Sequence, residues 1–315
     1  MAFLGIDIGG TNTKLVRLDD GDDVPVARRE IPTPRTVEDY RREIPRAVET
    51  IRSGGGTVDA VGFSVAGLVD DTRAVVQAPN LPFFEGVDVA APAREHLPGA
   101  VVVVENDVNA AIVGEHACGA GRGARNLCML SLGTGVGGAV VLEGELYRGA
   151  HGLAGELGHM TVQHDGPLCA CGLPGHVESY LSTAAITARG QAALDADPER
   201  AHVLGDLVAA EGPPEPRLLS VAAAAGCPVA REVLARCGFW LGIACANLVH
   251  ALQPDMILIG GGVSRADEFL LGPAREEFAA RTMRASRGSV PIVRAELGVD
   301  GAAIGAAVLA RRART

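Results

Sequence analysis

The sequence is almost without lysine, since Lys14 is the only lysine among 28 basic residues. It also lacks any block of like charge, and its formal net charge is −10. Nucleic acids and anionic membranes attract basic patches, so we expect neither as a main partner.

Long apolar runs and targeting signals are missing too. The most apolar stretch, 239–246, is bounded by Arg236 and Asn247 and is too short to span a bilayer. The first residues, MAFLGIDIGG, have no basic flank and include Asp7, so we expect no signal peptide. Seven scattered cysteines, an odd number, suit a reducing compartment better than a disulfide framework. We therefore expect a soluble cytoplasmic protein.

What is present is the composition of a globular protein and not that of a disordered chain. Apolar residues make up 48% and charged residues 21% of 315 residues. This length exceeds the ~250–300 residues at which single cores stop growing, so we expect two domains. We predict a strand at 58–65, a strand buried on both faces at 101–104, and a closely packing small-residue helix at 301–310. Alternating strands and helices indicate mixed sheets covered by helices.

Two glycine turns each lie between two predicted strands. One is Gly9-Gly10 within 3–18, and the other is 133–138 within 127–142. The second matches G-x-G-x-x-G, but a predicted strand follows it where a Rossmann dinucleotide site needs a helix, so we exclude a Rossmann site. The sequence also lacks the P-loop motif G-x-x-x-x-G-K-[ST], so we exclude a P-loop as well. Glycine turns can bind phosphate through unhindered N–H groups, with Thr11 and Thr134 as added donors. Either could be only a tight β-turn, but two of them, with Asp7 before the first, favour phosphate binding.

Asp107 lies directly after a strand and directly before a helix. Its carboxylate could cap the helix, or it could be a general base that removes the proton of a substrate hydroxyl during attack on phosphorus. Asn106 could hydrogen-bond a polyol or act as the cap instead. The segment alone leaves both interpretations open.

Histidine and cysteine residues cluster between 156 and 178. His159, Cys169, Cys171 and His176 are separated by turn-forming residues and suit a closed tetrahedral zinc site. Such a site would be structural and would hold Glu156 and Glu178 in place. A metal-bound His159 could still offer its other ring nitrogen to a substrate.

These residues resemble the ROK family (repressors, open reading frames and kinases), and within it bacterial glucokinases of actinobacterial type. The resemblance covers essentially the whole chain, and the Glu-x-Gly-His and cysteine-rich segments are its most specific parts. The matching motifs are Asp7-Ile-Gly-Gly-Thr11, Ala66-Gly-Leu-Val-Asp70, Asn80-Leu81, Glu105-Asn-Asp-Val-Asn-Ala-Ala111, Leu132-Gly-Thr-Gly-Val-Gly-Gly138, Glu156-x-Gly-His159, Cys169-x-Cys-Gly-x-x-Gly-His-x-Glu178 and Gly260-Gly-Gly262.

The resemblance implies an α/β, actin-like (RNase H-like) ATPase fold with two lobes of mixed sheets flanked by helices and a cleft between them. We expect a small domain of residues 1–118 plus 300–315 and a large domain of residues 119–299. The implied activity is transfer of the γ-phosphate of ATP, with Mg²⁺, to the 6-hydroxyl of a hexose, foremost glucose.

The resemblance also assigns roles by position. Asp107 is the implied catalytic base. The implied sugar-binding residues are Gly67, Asn80, Asn106, Asp107, Glu156, His159 and Glu178. The implied nucleotide-binding residues are Asp7, Gly9, Gly10, Thr11, Lys14, Gly133, Thr134, Gly135, Gly260, Gly261 and Gly262.

Two positions depart from the family. His176 stands where the family usually has a third cysteine, so we predict a Cys₂His₂ zinc site of His159, Cys169, Cys171 and His176. Phe84 stands near where many glucokinases carry tryptophan, which leaves the sugar preference open.

Other functions remain as alternatives. The main one is a kinase for an amino or N-acetyl hexose or for fructose, and a weaker one is a non-catalytic nucleotide-binding regulator. A repressor would need an N-terminal helix-turn-helix, for which a first strand at residue 3 leaves no room, and a polyphosphate kinase would need a basic track. The family resemblance also implies a homo-oligomer, either a dimer or a tetramer.

Overall fold

The structure, a computed structural model, describes residues 1–52, 57–70, 75–78 and 81–314. Its strands are β1 (Ala2–Ile8), β2 (Asn12–Asp19), β3 (Ala27–Pro32), β4 (Val58–Val65), β5 (Leu68–Val69), β6 (Val75–Gln77), β7 (Val101–Asn106), β8 (Leu127–Leu132), β9 (Val136–Leu142), β10 (Glu145–Leu146), β11 (Met256–Gly260) and β12 (Ile292–Arg294). Its helices are α1 (Val37–Arg52), α2 (Ala91–His96), α3 (Asp107–Cys118), α4 (Glu178–Leu181), α5 (Thr183–Ala196), α6 (His202–Glu211), α7 (Pro216–Ala224), α8 (Pro228–Leu252), α9 (Glu268–Arg281) and α10 (Gly301–Arg314).

These elements form two compact units. The first comprises Met1–Ala124, Ala139–Gly155 and Glu296–Thr315, and the second comprises Arg125–Gly138 and Glu156–Ala295. Both units are discontinuous along the chain. The domain boundaries expected after residue 118 and before residue 300 stay a prediction.

The first unit contains a sheet of order β3-β2-β1-β4-β7. β1 pairs in parallel with β4, and β4 pairs in parallel with β7. The register aligns Asp7 with Ser64, and Ser64 with Glu105. Because the carboxyl ends of parallel strands meet at one sheet edge, Asp7 and the segment that follows Glu105 reach the same edge.

β7 is less buried than the sequence predicts. Four consecutive valines indicated a strand covered on both faces, but β7 is the last strand of its sheet. Val101, Val102 and Val103 are half-buried, and Val104 is buried. The prediction was wrong for these three valines, because a run of β-branched residues reports strand propensity and does not report how fully other elements cover the two faces of the strand.

Small residues let α10 approach the sheet and α3 closely, as the sequence predicts for 301–310. A methyl group at Gly5 would lie 1.8 Å from the Ala303 carbonyl oxygen, and one at Gly62 would lie 1.9 Å from that of Ala306. A methyl group at Gly305 would lie 1.7 Å from the Ala110 carbonyl oxygen. The backbone at these three glycines therefore packs directly against the backbone of a neighbouring element, with no space for a side chain at any of the three.

The second sheet has the order β10-β9-β8-β11-β12. β11 pairs in parallel with β8 and with β12, and the register aligns Gly260 with Ser131. The turns after β8 and β11 therefore lie at one edge. In the described residues one helix, α8, is long and apolar enough to cross a membrane, and 67% of its most apolar window is buried inside the protein. That burial is typical of a core helix.

Candidate functional site

Asn106, rather than Asp107, caps helix α3. Its Oδ1 accepts hydrogen bonds from the backbone N–H groups of Val108 and Asn109 at 2.9 and 3.0 Å. Its Nδ2 donates to the Gly67 carbonyl at 2.9 Å and to Asp107 Oδ1 at 3.0 Å. Asp107 Oδ1 also accepts from the Val108 N–H at 3.0 Å. The cap that the sequence left open is therefore Asn106. In the described parts of the chain no other residue donates to the second carboxylate oxygen of Asp107.

Two carboxyl groups at this sheet edge have raised pKa values. Burial raises the pKa of Asp107 to about 7, and the neighbouring Asp7 carboxylate adds to this shift. Burial also raises the pKa of Asp7 to about 6, against a hydrogen bond from Ser64 and the charge of Lys14. A carboxylate that titrates near neutral pH is a more effective general base than one at its ordinary value.

The first glycine turn forms a tight connection between β1 and β2. The Gly9 N–H donates to the Asn12 carbonyl at 3.1 Å, and Thr33 Oγ1 donates to the Gly9 carbonyl at 2.7 Å. Thr11 is exposed and Gly10 half-buried beside it. Lys14 Nζ donates to the Val299 carbonyl at 3.0 Å. The turn thus lies open to solvent next to Asp7.

The second glycine turn, between β8 and β9, is hydrogen-bonded to Thr183 at the start of α5. The Gly133 carbonyl accepts from both the N–H and the Oγ1 of Thr183, at 2.8 and 2.9 Å. A methyl group at Gly133 would meet nothing within 4 Å, whereas one at Gly135 would lie 2.5 Å from Glu178 Oε2. Thr134 is exposed. Gly133 therefore borders open space in which a ligand could lie.

The third glycine segment follows β11. Gly261 has a φ of +78°, and a methyl group there would lie 2.2 Å from the Leu132 carbonyl oxygen. A methyl group at Gly262 would meet nothing within 4 Å. Gly260 is buried against Met129. This segment needs glycine for its own conformation and also leaves space beside Gly262.

The predicted metal ligands come together. The donor atoms of His159, Cys169, Cys171 and His176 all lie within 4.8 Å of one another. The two histidine Nδ1 atoms are 3.3 Å apart, Cys169 Sγ is 3.8 Å from His159 Nδ1, and Cys171 Sγ is 3.3 Å from His176 Nδ1.

These distances fit a tetrahedral zinc ion. With Zn–N of about 2.0 Å and Zn–S of about 2.3 Å, two nitrogens lie ~3.3 Å apart, and a nitrogen and a sulfur lie ~3.5 Å apart. Four protein donors would close the coordination sphere, so the site fits a structural ion.

His159 also faces Glu156 through its other nitrogen, because Nε2 is 3.9 Å from Glu156 Oε2. Partial burial raises the pKa of Glu156; His159 opposes this shift and Glu178 adds to it. Glu178 is tied at both oxygens, since Oε1 accepts from Cys169 Sγ at 3.2 Å and Oε2 accepts from the Val136 N–H at 3.0 Å. Glu178 thus links the histidine–cysteine cluster to the second glycine turn.

Gly67, Asn80 and Phe84 are the remaining positions that the sequence analysis singled out near the sugar. Gly67 lies where a methyl group would be 2.5 Å from the Gln77 carbonyl oxygen, and its own carbonyl holds Asn106. Asn80, a predicted sugar ligand, lies outside the described residues. Phe84 is fully buried in the core, 4.7 Å from the Tyr40 ring, so it forms no wall of an exposed pocket.

Two residues that support the site, Ser64 and Thr183, are not among the predicted site residues. Ser64, fully buried, donates to Asp7 Oδ1 at 2.8 Å, and Thr183 holds the Gly133 carbonyl. A serine within the apolar run 60–65 of β4 is the signal that could have indicated Ser64. Thr183 is separated from Gly133 by 50 residues, and nothing in the sequence announces that contact.

Comparison with known proteins identifies the class of protein. The ROK family model matches residues 3–313, so the chain belongs to the ROK family.

The individual relatives with similar sequences include sugar kinases of two kinds. The chain is 38% identical over 314 residues to a glucokinase from Streptomyces coelicolor, covering 98% of this chain and 97% of the relative. It is 30% identical over 307 residues to an N-acetylmannosamine kinase from Vibrio cholerae, covering 98% of both chains. A solved ROK glucokinase from Streptomyces griseus, in complex with glucose and AMPPNP, matches with a TM-score of 0.84 and 36% identity over 99% of this chain and 100% of that one. The chain thus has the actin-like ATPase fold, with mixed sheets flanked by helices, as the sequence predicts.

Proposed function

We propose that this protein is an ATP-dependent hexose kinase that phosphorylates glucose at its 6-hydroxyl. The observation that carries the proposal is the position, the orientation and the raised pKa of the Asp107 carboxyl group. This carboxylate lies at the carboxyl ends of parallel strands, is oriented by Asn106, and has a pKa raised to about 7. The glucokinases among the relatives support glucose as the substrate.

Asp107 is the proposed general base. As the sugar oxygen attacks the γ-phosphorus of ATP, its proton passes to the carboxylate, and the bond from phosphorus to the bridging oxygen of ADP breaks. Within the described residues no other residue donates a hydrogen bond to Asp107 Oδ2, whereas Oδ1 accepts those of Asn106 and Val108. The free oxygen is therefore the one to take the proton.

The nucleotide is proposed to bind at the glycine segments. Backbone N–H groups without a neighbouring Cβ form anion-binding surfaces, and Gly133 and Gly262 border open space. With them we assign Gly9, Gly10, Thr11, Lys14, Thr134, Gly135, Gly260 and Gly261 to the phosphates and the adenosine. Asp7 is the residue proposed to face Mg²⁺, whose charge would stabilise the phosphates.

The sugar is proposed to be recognised through its ring hydroxyls. Glu156 and Glu178 would accept hydrogen bonds from hydroxyls, and such charge-assisted bonds are stronger than neutral ones. His159 would donate from Nε2, the nitrogen that faces Glu156. Gly67, Asn80 and Asn106 complete the proposed set.

We assign a structural zinc ion to His159, Cys169, Cys171 and His176. When bound, the ion would fix the loop that carries these residues and would add no open coordination position. Ligation through Nδ1 leaves His159 Nε2 available, consistent with the donor distances. The two roles of His159 are thus compatible.

The cellular compartment, the pathway and the oligomeric state are parts of the same proposal. Reduced, scattered cysteines suit the cytoplasm, and glucose 6-phosphate formed there enters glycolysis. We propose a homo-oligomer, a dimer or a tetramer, with no nucleic acid or membrane partner.

The test is ADP release measured over a panel of sugars with ATP and Mg²⁺. The panel contains glucose, mannose, fructose, glucosamine, N-acetylglucosamine, N-acetylmannosamine and 3-amino-3-deoxyglucose. The highest kcat/KM for glucose is the expected result, and absence of turnover with every sugar would contradict kinase activity.

The second candidate is a kinase for an amino or N-acetyl hexose. The relative from Vibrio cholerae, an N-acetylmannosamine kinase, favours it, although at lower identity than the glucokinases. A higher kcat/KM for N-acetylmannosamine than for glucose would establish it and leave the role of Asp107 unchanged.

A further inference from the structure

A buried ion pair lies beside the segment that carries Asp107. The side chain of Glu105 is 3% exposed, and its Oε2 accepts a hydrogen bond from Arg148 Nε at 2.7 Å. Its Oε1 accepts from the Asn106 N–H and from Asn109 Nδ2, both at 3.1 Å. One carboxylate therefore contacts residues on both sides of Asp107.

These contacts continue to the proposed base. The Asn106 peptide is held by Glu105, and the Asn106 side chain donates to Asp107 Oδ1. Asn109 lies in the first turn of α3 and also donates its N–H to the Asn106 cap. A shift of Glu105 would thus move both the cap and the carboxylate that the cap orients.

Arg148 is itself fixed in a turn. Its carbonyl accepts the Ala154 N–H at 3.0 Å, which closes the turn 148–154. The side chain is 30% exposed and borders a cavity of about 260 Å³ with Glu145, Leu309 and Arg312. Solutes can therefore reach the position of the guanidinium group.

We propose that Arg148 is a positioning residue for the phosphoryl transfer, acting through Glu105 on the segment that carries Asp107. This inference rests on the proposed function. Arg148 does not touch the reacting atoms in this scheme. It holds the buried Glu105 carboxylate in the orientation in which Oε1 binds Asn106 and Asn109.

The expected effect is on turnover. A misplacement of a catalytic group by about 1 Å can lower a rate by ~10²-fold. Loss of the guanidinium in Arg148→Ala should lower kcat by roughly 10–100-fold and leave KM for MgATP within about twofold. Free guanidinium, which enters from the cavity, should restore part of kcat in this variant when added well below denaturing concentrations.

Arg17→Ala is the matched control. Arg17 belongs to the same unit, and its side chain is 12% exposed and paired with Asp19 at 2.8 Å, away from the Asp107 segment. This variant should lose stability without losing kcat, and guanidinium should not raise its rate. Potassium chloride at matched ionic strength controls for salt.

Glu105→Gln supplies a second variant that removes the buried charge and keeps the side-chain shape. An amide has a single carbonyl oxygen, so it cannot accept the hydrogen bonds of Asn106, Asn109 and Arg148 together, and kcat should fall without a response to guanidinium.

The experiment is ADP release with glucose and MgATP, beside thermal unfolding of each variant. A folded Arg148→Ala protein with wild-type kcat would overturn the proposal. So would a loss of kcat equal to that of Arg17→Ala and unresponsive to guanidinium. If Arg148→Ala does not fold, a wild-type kcat in Glu105→Gln overturns it. An inactive wild-type protein would instead refute the kinase function.

Discussion

At the scale of single residues, the division of work between Asn106 and Asp107 decides what the site can do. A helix that begins after a strand needs an N-cap, and Asn106 fills that position with its Oδ1. Asp107 would lose its availability as a base if its own carboxylate were the cap. The neighbouring asparagine therefore frees Asp107 and also orients it through Nδ2.

Asp107→Asn should lower kcat by roughly 10²–10⁴ and leave the fold intact, because the amide keeps an Oδ1 acceptor for Val108 but cannot take a proton. Coupled ADP release with glucose measures the rate, and circular dichroism checks the fold. More than a tenth of wild-type turnover in a folded variant would remove Asp107 from the role of base.

His176, where the family resemblance implies a cysteine, is one of the four proposed zinc ligands. His176→Cys should keep about one zinc per chain, because thiolate and imidazole are both good zinc ligands, whereas His176→Ala should lose most of it. Elemental analysis of the purified proteins gives the zinc content. Equal zinc in wild type and His176→Ala, or none in the wild type, would contradict the Cys₂His₂ assignment.

At the scale of elements, the sequence predicted best where local chemistry determines the structure. Glycine turns between β-rich runs placed β1–β2 and β8–β9 correctly, and the strand at 58–65 has the predicted bounds. The sequence could not show that β7 lies at a sheet edge, because sheet order depends on contacts between distant strands. For the same reason the Ser64–Asp7 bond, 57 residues apart in sequence, was not foreseen.

The close packing of α10 gives a prediction at this scale. Gly305→Ala should destabilise the protein by about 1–3 kcal/mol or more, since the new methyl group would overlap the Ala110 carbonyl and force backbone to shift. Gly301→Ala on the same helix is the control. Its methyl group would lie 3.6 Å from Leu297, an ordinary contact, and alanine favours helix. Urea unfolding of both variants makes the comparison, and equal stabilities would disprove this account of the packing.

At the scale of the whole molecule, the family and the actin-like fold were predictable because the motifs that indicate them are distributed over most of the chain. The residues that connect those motifs were not. Glu178, predicted as a sugar ligand, is hydrogen-bonded to Val136, and Arg148 is hydrogen-bonded to Glu105. Each of these contacts joins segments that only the folded chain brings together.

The raised pKa values lead to opposite effects of pH on activity and on stability. A base must be ionised to act, so kcat/KM for glucose should rise with pH through about 7, the pKa of Asp107. Because the folded-state pKa lies above the unfolded value, this group contributes most to stability below pH ~4. That contribution is lost as pH rises through about 7. The contribution of Asp7 to stability is likewise lost as pH rises, through its pKa of about 6.

Asp107→Asn separates the two effects, because asparagine does not titrate. At pH 8 this variant should be more stable than wild type by on the order of 1–3 kcal/mol, since it buries no charge, and at pH 5 the difference should shrink. Urea unfolding at both pH values, beside a pH profile of wild-type kcat/KM, makes the measurement. A variant less stable than wild type at pH 8, or a wild-type profile flat between pH 5 and 8, would show that the Asp107 carboxyl group does not have the raised pKa on which both expectations depend. The proposed base would then lack the property that suits it to neutral pH.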